Sequence, residues 1–283
     1  MLEKGNRGGK KLVAGVDYGS SGEKDYSRAA ELLPELPRED TGEEWYTSFN
    51  QTSVGKRTEV RVKITNKTPI TGKLEESRGA FGKVYSVNVE VPGMEGPAPR
   101  FALKEYRNEE LALSSHQNYV RGRDSGLKVW RTYRLGADGK SVLMSTSNSQ
   151  EWRVMGDRNT LSAEEVKVFL PIENFEGFLN AYYEQAVKAA EKHIAIGGDV
   201  PMFLVNKNKL DFILGDMDQL DKSDSEPQEL LPQNLQGMHS RLVVFLEENC
   251  PDHDIESYIA ESAGHIKKVF GVSVSRYMGG EEF

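Results

Sequence analysis

The chain reads Ser77-Arg78-Gly79-Ala80-Phe81-Gly82-Lys83-Val84-Tyr85, and Phe101-Ala102-Leu103-Lys104 follows after one more turn. Small residues at a turn between two strands let backbone N–H groups approach phosphate oxygens closely. A lysine on the next strand can supply a positive charge to those phosphates. Two glycines alone are typical of any hairpin turn and do not indicate a phosphate site. The glycines, the β-branched Val84 and the Ala102-x-Lys104 pattern together favour a nucleotide phosphate site.

Hydrophobic periodicity around this stretch predicts the fold class. Alternation of apolar and polar residues indicates five antiparallel strands near 60–64, 84–91, 101–104, 129–135 and 141–144, with one helix near 108–121. After residue 160 the period becomes helical, starting at a capping box formed by Ser162 and Glu165. Two strand-like pieces at 202–205 and 210–214 precede two amphipathic helices near 237–249 and 254–270. Strands first and helices second predict an α+β chain.

The glycine loop and the lysine strand resemble those of the protein kinase fold. Ser77, Gly79, Gly82 and Val84 match the G-x-G-x-x-G-x-V loop of that fold, with serine in place of the first glycine. The resemblance implies that Lys104 pairs with the phosphates of ATP and that a glutamate on the next helix holds it. For ATP as cofactor, it implies seven binding residues: Ser77, Gly79, Gly82, Val84, Ala102, Lys104 and Glu110, with Glu109 as an alternative to Glu110.

The same resemblance implies that acidic residues lie at the far end of the domain. Asp216 and Asp218 follow the apolar strand 210–214 and match the position that binds Mg²⁺, a metal that prefers carboxylate oxygens. Asp199 follows the long helix and is the candidate catalytic aspartate that orients the acceptor hydroxyl, with Lys104 as the other catalytic residue. Met202 stands where the family has an asparagine metal ligand. A turn residue remains the alternative interpretation of Asp199.

The resemblance therefore predicts a two-lobe kinase-like fold with a five-stranded N-lobe sheet, one helix, and a reduced, mainly helical C-lobe. We expect an N-terminal arm over 1–55, an N-lobe over 56–148, a C-lobe over 149–275 and a tail over 276–283. Residues 1–55 are rich in Gly, Ser, Glu, Lys and Pro, which favours a partly disordered arm with a short helix near 26–33. A minimal domain of this kind is typical of bacterial or delivered effector proteins.

Composition narrows the functional classes. The 283 residues carry 36 Lys+Arg and 44 Asp+Glu, a net charge of −8, which argues against a general nucleic-acid binder. No run approaches the roughly 20 apolar residues of a membrane helix, and the first twenty residues lack a signal-peptide core. The single cysteine, Cys250, cannot form an intrachain disulfide or a thiolate zinc cluster. We expect a cytoplasmic protein without nucleic-acid or membrane partners.

Three functions remain open from the sequence. The first is transfer of the γ-phosphoryl group of ATP to a hydroxyl acceptor, more readily on a protein Ser/Thr than on a small molecule. The second is a pseudokinase that binds nucleotide or protein without catalysis, which Met202 and the short loop after Asp199 favour. The third is a kinase-fold enzyme that acts on a small molecule or transfers AMP. Residues 12–21 also resemble the first phosphate loop of the actin and sugar-kinase ATPases, but the second D-x-G loop of that fold is missing.

Overall fold

A computed structural model describes residues 16–17, 22–23, 45–51, 57–69, 82–90, 98, 100–135, 139–145, 152–155 and 160–278. Two short strands near the start, β1 (Val16–Asp17) and β2 (Gly22–Glu23), pair antiparallel. The expected loop residues Ser77 and Gly79, and the short helix expected near 26–33, lie outside the described residues.

Six strands form a closed antiparallel barrel in the order β3-β4-β5-β6-β8-β7. Their bounds are β3 Trp45–Gln51, β4 Arg57–Pro69, β5 Gly82–Glu90, β6 Arg100–Tyr106, β7 Thr132–Leu135 and β8 Ser141–Ser145. The five strands expected from the sequence are all present. The sixth strand, β3, lies inside the segment that the sequence assigns to the N-terminal arm, and it closes the barrel by pairing with β4 and β7.

The two faces of the central barrel strands have different environments. Val87, Phe101, Leu103 and Leu143 are almost completely buried and share the face that fills the barrel. The opposite face of β6 carries Lys104, because successive side chains of a strand alternate between faces. On this outer face, Tyr106 and Val142 pack against Ala112 of helix α1 (Glu109–Asp124). The outer face of β6 therefore points toward the rest of the protein.

Four helices, a three-stranded sheet and a two-stranded sheet form the second half of the described chain. The helices are α2 (Ala163–Phe169), α3 (Phe175–Glu191), α4 (Pro227–Asn249) and α5 (Glu256–Phe270). The capping box at Ser162 and Glu165 is formed as predicted. The aromatic stripe of α3 is core, as expected: Tyr182 lies in the interior with its ring 5.0 Å from that of Phe212. The α+β class predicted from the order of strands and helices is thus observed.

The strands of this half bring an acidic turn next to the barrel. β11 (Pro201–Asn206) pairs with β12 (Lys209–Leu214) and with β9 (Arg153–Val154), and β10 (Ile194–Ile196) pairs with β13 (Leu220–Lys222). A 3-10 turn, Met217–Gln219, connects β12 to β13. The end of β12 is bonded to the segment after α1: Trp130 N donates to Leu214 O and Leu214 N to Lys128 O, both at 2.9 Å. These two bonds fix where the turn after Leu214 begins.

None of the described helices is both long enough and apolar enough to cross a membrane.

Candidate functional site

An ammonium and two carboxylates meet where the barrel faces the 3-10 turn. Lys104 Nζ donates to Asp216 Oδ1 at 3.0 Å, across 112 positions of sequence, and also to Asp218 Oδ2. The exposed fraction of the side chain is 12% for Lys104, 28% for Asp216 and 8% for Asp218. The structure thus brings together three of the residues that the sequence predicts as a site. The lysine and the aspartates face each other, and packed side chains do not separate them.

Strand register explains how Lys104 reaches the turn. Lys104 is paired with Val84 on β5 and with Val142 on β8, and directly opposed residues of antiparallel strands project to the same face. Ala102, two residues earlier, lies on that face as well, paired with Met144. Val84 and Ala102, both predicted to bind nucleotide, therefore share the outer barrel face with Lys104.

Tyr106 extends the charged network into helix α1. Its hydroxyl lies 2.7 Å from Asp218 Oδ1 and 2.7 Å from Ser115 Oγ. An ionised carboxylate only accepts, so the Tyr106 hydroxyl donates to Asp218 and accepts from Ser115. Burial and the neighbouring charge of Asp218 raise the pKa of Tyr106 far above its usual value. The phenol therefore stays protonated and remains a hydrogen-bond donor to Asp218.

Charge coupling sets the protonation of the pair at the centre of the site. Burial alone would lower the pKa of Lys104, but the charges of Asp216 and Asp218 outweigh it and raise that pKa, so the ammonium is retained. Burial, together with the charge of Asp218, raises the pKa of Asp216 in spite of the opposing effect of Lys104. Asp216 therefore takes up a proton more readily than an ordinary aspartate.

Helix α1 holds the acidic turn through a neutral side chain. Asn118, which is 4% exposed, donates from Nδ2 to the main-chain oxygen of Met217 at 2.9 Å, and Arg121 donates to Asn118 Oδ1 at 2.7 Å. Sequence reasoning missed Tyr106, Ser115 and Asn118. The available signal was the placement of small or polar residues at 115, 118 and 122, three and four apart on the α1 face that should be apolar.

The structure does not place Glu110 at Lys104, which corrects the partner expected from the resemblance. Glu110 is exposed in the first turn of α1, and so is its alternative, Glu109. First-turn acids interact favourably with the helix N-terminus, which gives these two residues a local role. Within the part of the chain that the structure describes, the ion-pair partners of Lys104 are Asp216 and Asp218.

Asp199 lies in the loop between β10 and β11, and its side chain is exposed. Its Oδ2 accepts from Gln219 Nε2 at 3.1 Å, which connects it to the 3-10 turn. The next residue, Val200, accepts at its main-chain oxygen from Gly215 N at 2.8 Å and from Asp216 N at 3.4 Å. The structure therefore places the Asp199 loop against the backbone of Asp216, with a carboxylate that reaches solvent.

Met202 occupies an apolar environment beside this loop. It packs with Trp130, Leu204 and Ile213, and a Cβ added to Gly215 would overlap both Met202 and Trp130. Gly215 is thus required by close packing directly before Asp216. A thioether in this position cannot act as a hard oxygen ligand.

Gly82 is also explained by close packing. It is paired with Tyr106 across β5 and β6, and a Cβ on it would overlap the main-chain oxygen of Glu105. The strand pair therefore needs glycine here whether or not a phosphate binds at the loop before it.

The acidic side chains fit one Mg²⁺ held together with phosphate oxygens. Among the described residues, no group of three or more His, Cys, Asp and Glu side chains could hold a metal by itself. Mg²⁺ is commonly held by one or two carboxylates together with substrate phosphates. Asp216 accepts a single bond from Lys104 and is more exposed than Asp218, so it is the carboxylate best placed for that role.

Comparison with known proteins returned solved structures only. No family model and no curated protein matches the chain. A double mutant of the PknI kinase domain of Mycobacterium tuberculosis is 14% identical, covering 74% of this chain and 86% of that chain, with a TM-score of 0.36. The PknI kinase domain without those mutations is 12% identical, covering 66% of this chain and 84% of that chain, with a TM-score of 0.32. WaaP in complex with acyl carrier protein is 13% identical, covering 72% of this chain and 89% of that chain, with a TM-score of 0.33. With TM-scores below 0.5, no statement about activity or partners rests on these structures. Two of these three structures are kinase domains.

Proposed function

We propose that this protein binds ATP with Mg²⁺ between the outer barrel face and the acidic turn, and transfers the γ-phosphoryl group to a hydroxyl acceptor. The observation that carries the proposal is the contact of Lys104 with Asp216, two charged groups that sequence distance alone would not bring together. Charges that are largely removed from water are costly unless they are paired. A pair retained on the outer face of the barrel is therefore a candidate binding site.

In this proposal the chain has two lobes. The barrel and α1 form the N-lobe within 56–148, the helices from α2 onward form the reduced C-lobe within 149–275, and 1–55 and 276–283 are arm and tail. The strand β3 is an exception, because it pairs with the N-lobe sheet from inside the arm segment. Nucleotide would enter where Lys104 of one lobe meets Asp216 of the other.

Each side chain has a role that follows from its position. Val84 and Ala102 line the face on which Lys104 stands, so they would contact the base, and Lys104 would pair with phosphate oxygens. Asp216 would hold Mg²⁺, which supplies positive charge to the phosphates when it is bound. Asp199, exposed and joined to the turn by Gln219, would orient the acceptor hydroxyl and accept its proton. The catalytic gain comes from placement and charge compensation.

A pseudokinase is the second candidate, and one observation favours it. Met202 stands where the resemblance implies an asparagine metal ligand, and it is packed against Trp130 and Gly215. That packing removes one oxygen ligand from the metal site. A domain with this site would bind nucleotide through Lys104 without turning it over.

The test compares nucleotide binding and phosphoryl transfer in the full chain. We expect ATP with Mg²⁺ to raise the melting temperature, and the intact mass of the chain or of an added Ser/Thr-containing protein to increase by one phosphate. The increase should disappear in Lys104→Ala, Asp216→Ala and Asp199→Asn, while Lys188→Met, an exposed control, keeps it. Thermal stabilisation without a mass change would support the pseudokinase, and a mass gain of one AMP would replace phosphoryl transfer by AMP transfer. Absence of any ATP effect on the wild type would contradict the proposal.

A further inference from the structure

Asp216 and Asp218 are unequal partners of Lys104. Asp218 uses both carboxylate oxygens on donors: Oδ2 accepts from Lys104 and Oδ1 from the buried hydroxyl of Tyr106. Asp216 accepts one bond from Lys104 and keeps more than three times the exposed fraction of Asp218. A carboxylate that is occupied at both oxygens and nearly inaccessible has little capacity left for a metal ion.

The donors to Asp218 are themselves fixed. Tyr106 lies two residues after Lys104 on β6, so the two donors project from the same face of one strand. Ser115 of α1 contacts the Tyr106 hydroxyl, and Asn118 of the same helix holds the main-chain oxygen of Met217, the residue directly before Asp218. Strand and helix therefore both contribute to the position of the Asp218 carboxylate.

The helix offers no acidic side chain to Lys104 among its described residues. The α1 side chains that reach the network are the neutral Ser115 and Asn118, and the acids Glu109 and Glu110 are exposed in its first turn. A buried ammonium still needs a counter-charge. The turn supplies that charge through Asp218.

We propose that Asp218 is a positioning residue that holds the Lys104 ammonium, in place of a helix glutamate, and that metal binding is left to Asp216 alone. The inference rests on the proposed nucleotide site and assigns a different role to each of its two carboxylates. Asp218 would keep its contact with Lys104 in the presence of nucleotide, and Asp216 would be the carboxylate that holds the metal.

The first experiment measures ATP affinity by calorimetry on the full chain, in EDTA and in Mg²⁺. Asp218→Asn weakens binding in EDTA by about tenfold and leaves the additional gain on adding Mg²⁺ within twofold of wild type. Asp216→Asn leaves binding in EDTA within twofold and loses the Mg²⁺ gain. Asp224→Asn, an exposed acid on the same segment, changes neither value. Loss of the Mg²⁺ gain in Asp218→Asn, or binding in EDTA within twofold of wild type, would overturn the proposal.

A second measurement needs no nucleotide, so it separates this inference from the proposed function. The acetylation rate of Lys104 by acetic anhydride, followed by peptide mass, reports how well the amine is held. We expect Asp218→Asn to increase the rate at least fivefold and Tyr106→Phe by two- to threefold. Asp216→Asn also removes a charge that raises the pKa of Lys104, and we expect it to increase the rate by a smaller factor than either. Tyr106→Phe removes one hydrogen bond and no charge, so it covers the case in which Asp218→Asn does not fold. A larger increase in Asp216→Asn than in Asp218→Asn or Tyr106→Phe would assign the anchoring to Asp216.

Discussion

Removing the Lys104 ammonium tests the central contact directly. In Lys104→Met the carboxylates of Asp216 and Asp218 face each other without a cation, at 28% and 8% exposure. Breaking a buried ion pair by removing one partner costs about 3–5 kcal/mol. The partial exposure of Asp216, and its ability to take up a proton, reduce the expected loss of unfolding free energy to about 3 kcal/mol at pH 7.5.

The loss should depend on pH with a defined sign. Burial and the charge of Asp218 already raise the pKa of Asp216, and loss of Lys104 removes the opposing effect, so that pKa rises further in the variant. A carboxyl whose pKa is higher in the folded than in the unfolded state binds its proton more tightly when folded. The variant therefore gains stability relative to wild type as the pH falls through the folded pKa. The difference between the two proteins should be smaller at pH 5 than at pH 7.5.

Urea unfolding followed by tryptophan fluorescence, at both pH values, measures these differences. Lys188→Met is the control, because Lys188 forms an exposed pair with Glu184 and its loss should cost no more than about 0.5 kcal/mol. The double variant Lys104→Met with Asp218→Asn should lose less than the sum of the two single losses, since it removes the unpaired charge. A Lys104→Met variant that behaves like the control, or that loses the same unfolding free energy at both pH values, would refute the role given to the Lys104 ammonium.

Three further predictions concern buried and capping residues in the second half of the chain. Burial first, and then Arg276, lower the pKa of His239 to about 4, so its contribution to stability is complete above about pH 6.5 and lost as the pH falls toward 4. Between pH 7.5 and pH 5 this contribution should fall by about 2 kcal/mol, and His239→Gln should remove that part of the pH dependence in urea unfolding; an unchanged dependence would contradict it. Ser162→Ala removes the N-cap of α2 and should cost about 1 kcal/mol in urea unfolding, whereas a loss below about 0.2 kcal/mol would speak against the capping box. Gly215→Ala forces a Cβ into Met202 and Trp130 and should cost about 1–3 kcal/mol, read as a lower melting temperature; an unchanged value would show that the two side chains move apart freely.

The sequence predicted the parts of the fold that carry strong periodicity. The five strands and the aromatic stripe of α3 each show a clear apolar period, and they and the α1 helix were found near their expected bounds. β3 was missed because Trp45–Gln51 mixes aromatic and polar residues inside a stretch dominated by Gly, Glu and Pro. Its place in the barrel depends on pairing with β4 and β7, and a local sequence pattern does not reveal pairing between strands.

The site was predicted in part for the same reason. Lys104 and Asp216 stand in motifs with recognisable neighbours, so their convergence could be expected. The partner of Lys104 could not, because the resemblance supplies a glutamate where this helix presents Ser115 and Asn118. Polar residues on a helix are ordinarily taken for its solvent-facing side, and only the position of the 3-10 turn shows that these two are buried.

The main-chain bonds between the segment 128–130 and Leu214 have a mechanical consequence. They join the first half of the chain to the second two residues before Asp216, through a parallel bridge between Val129 and Leu214. Any rotation that widens the gap between Lys104 and Asp216 must turn close to this bridge or break its two hydrogen bonds. Slow deuterium uptake at the amides of Trp130 and Leu214, compared with faster uptake at the exposed turn of Lys207, would show that these two hydrogen bonds stay closed.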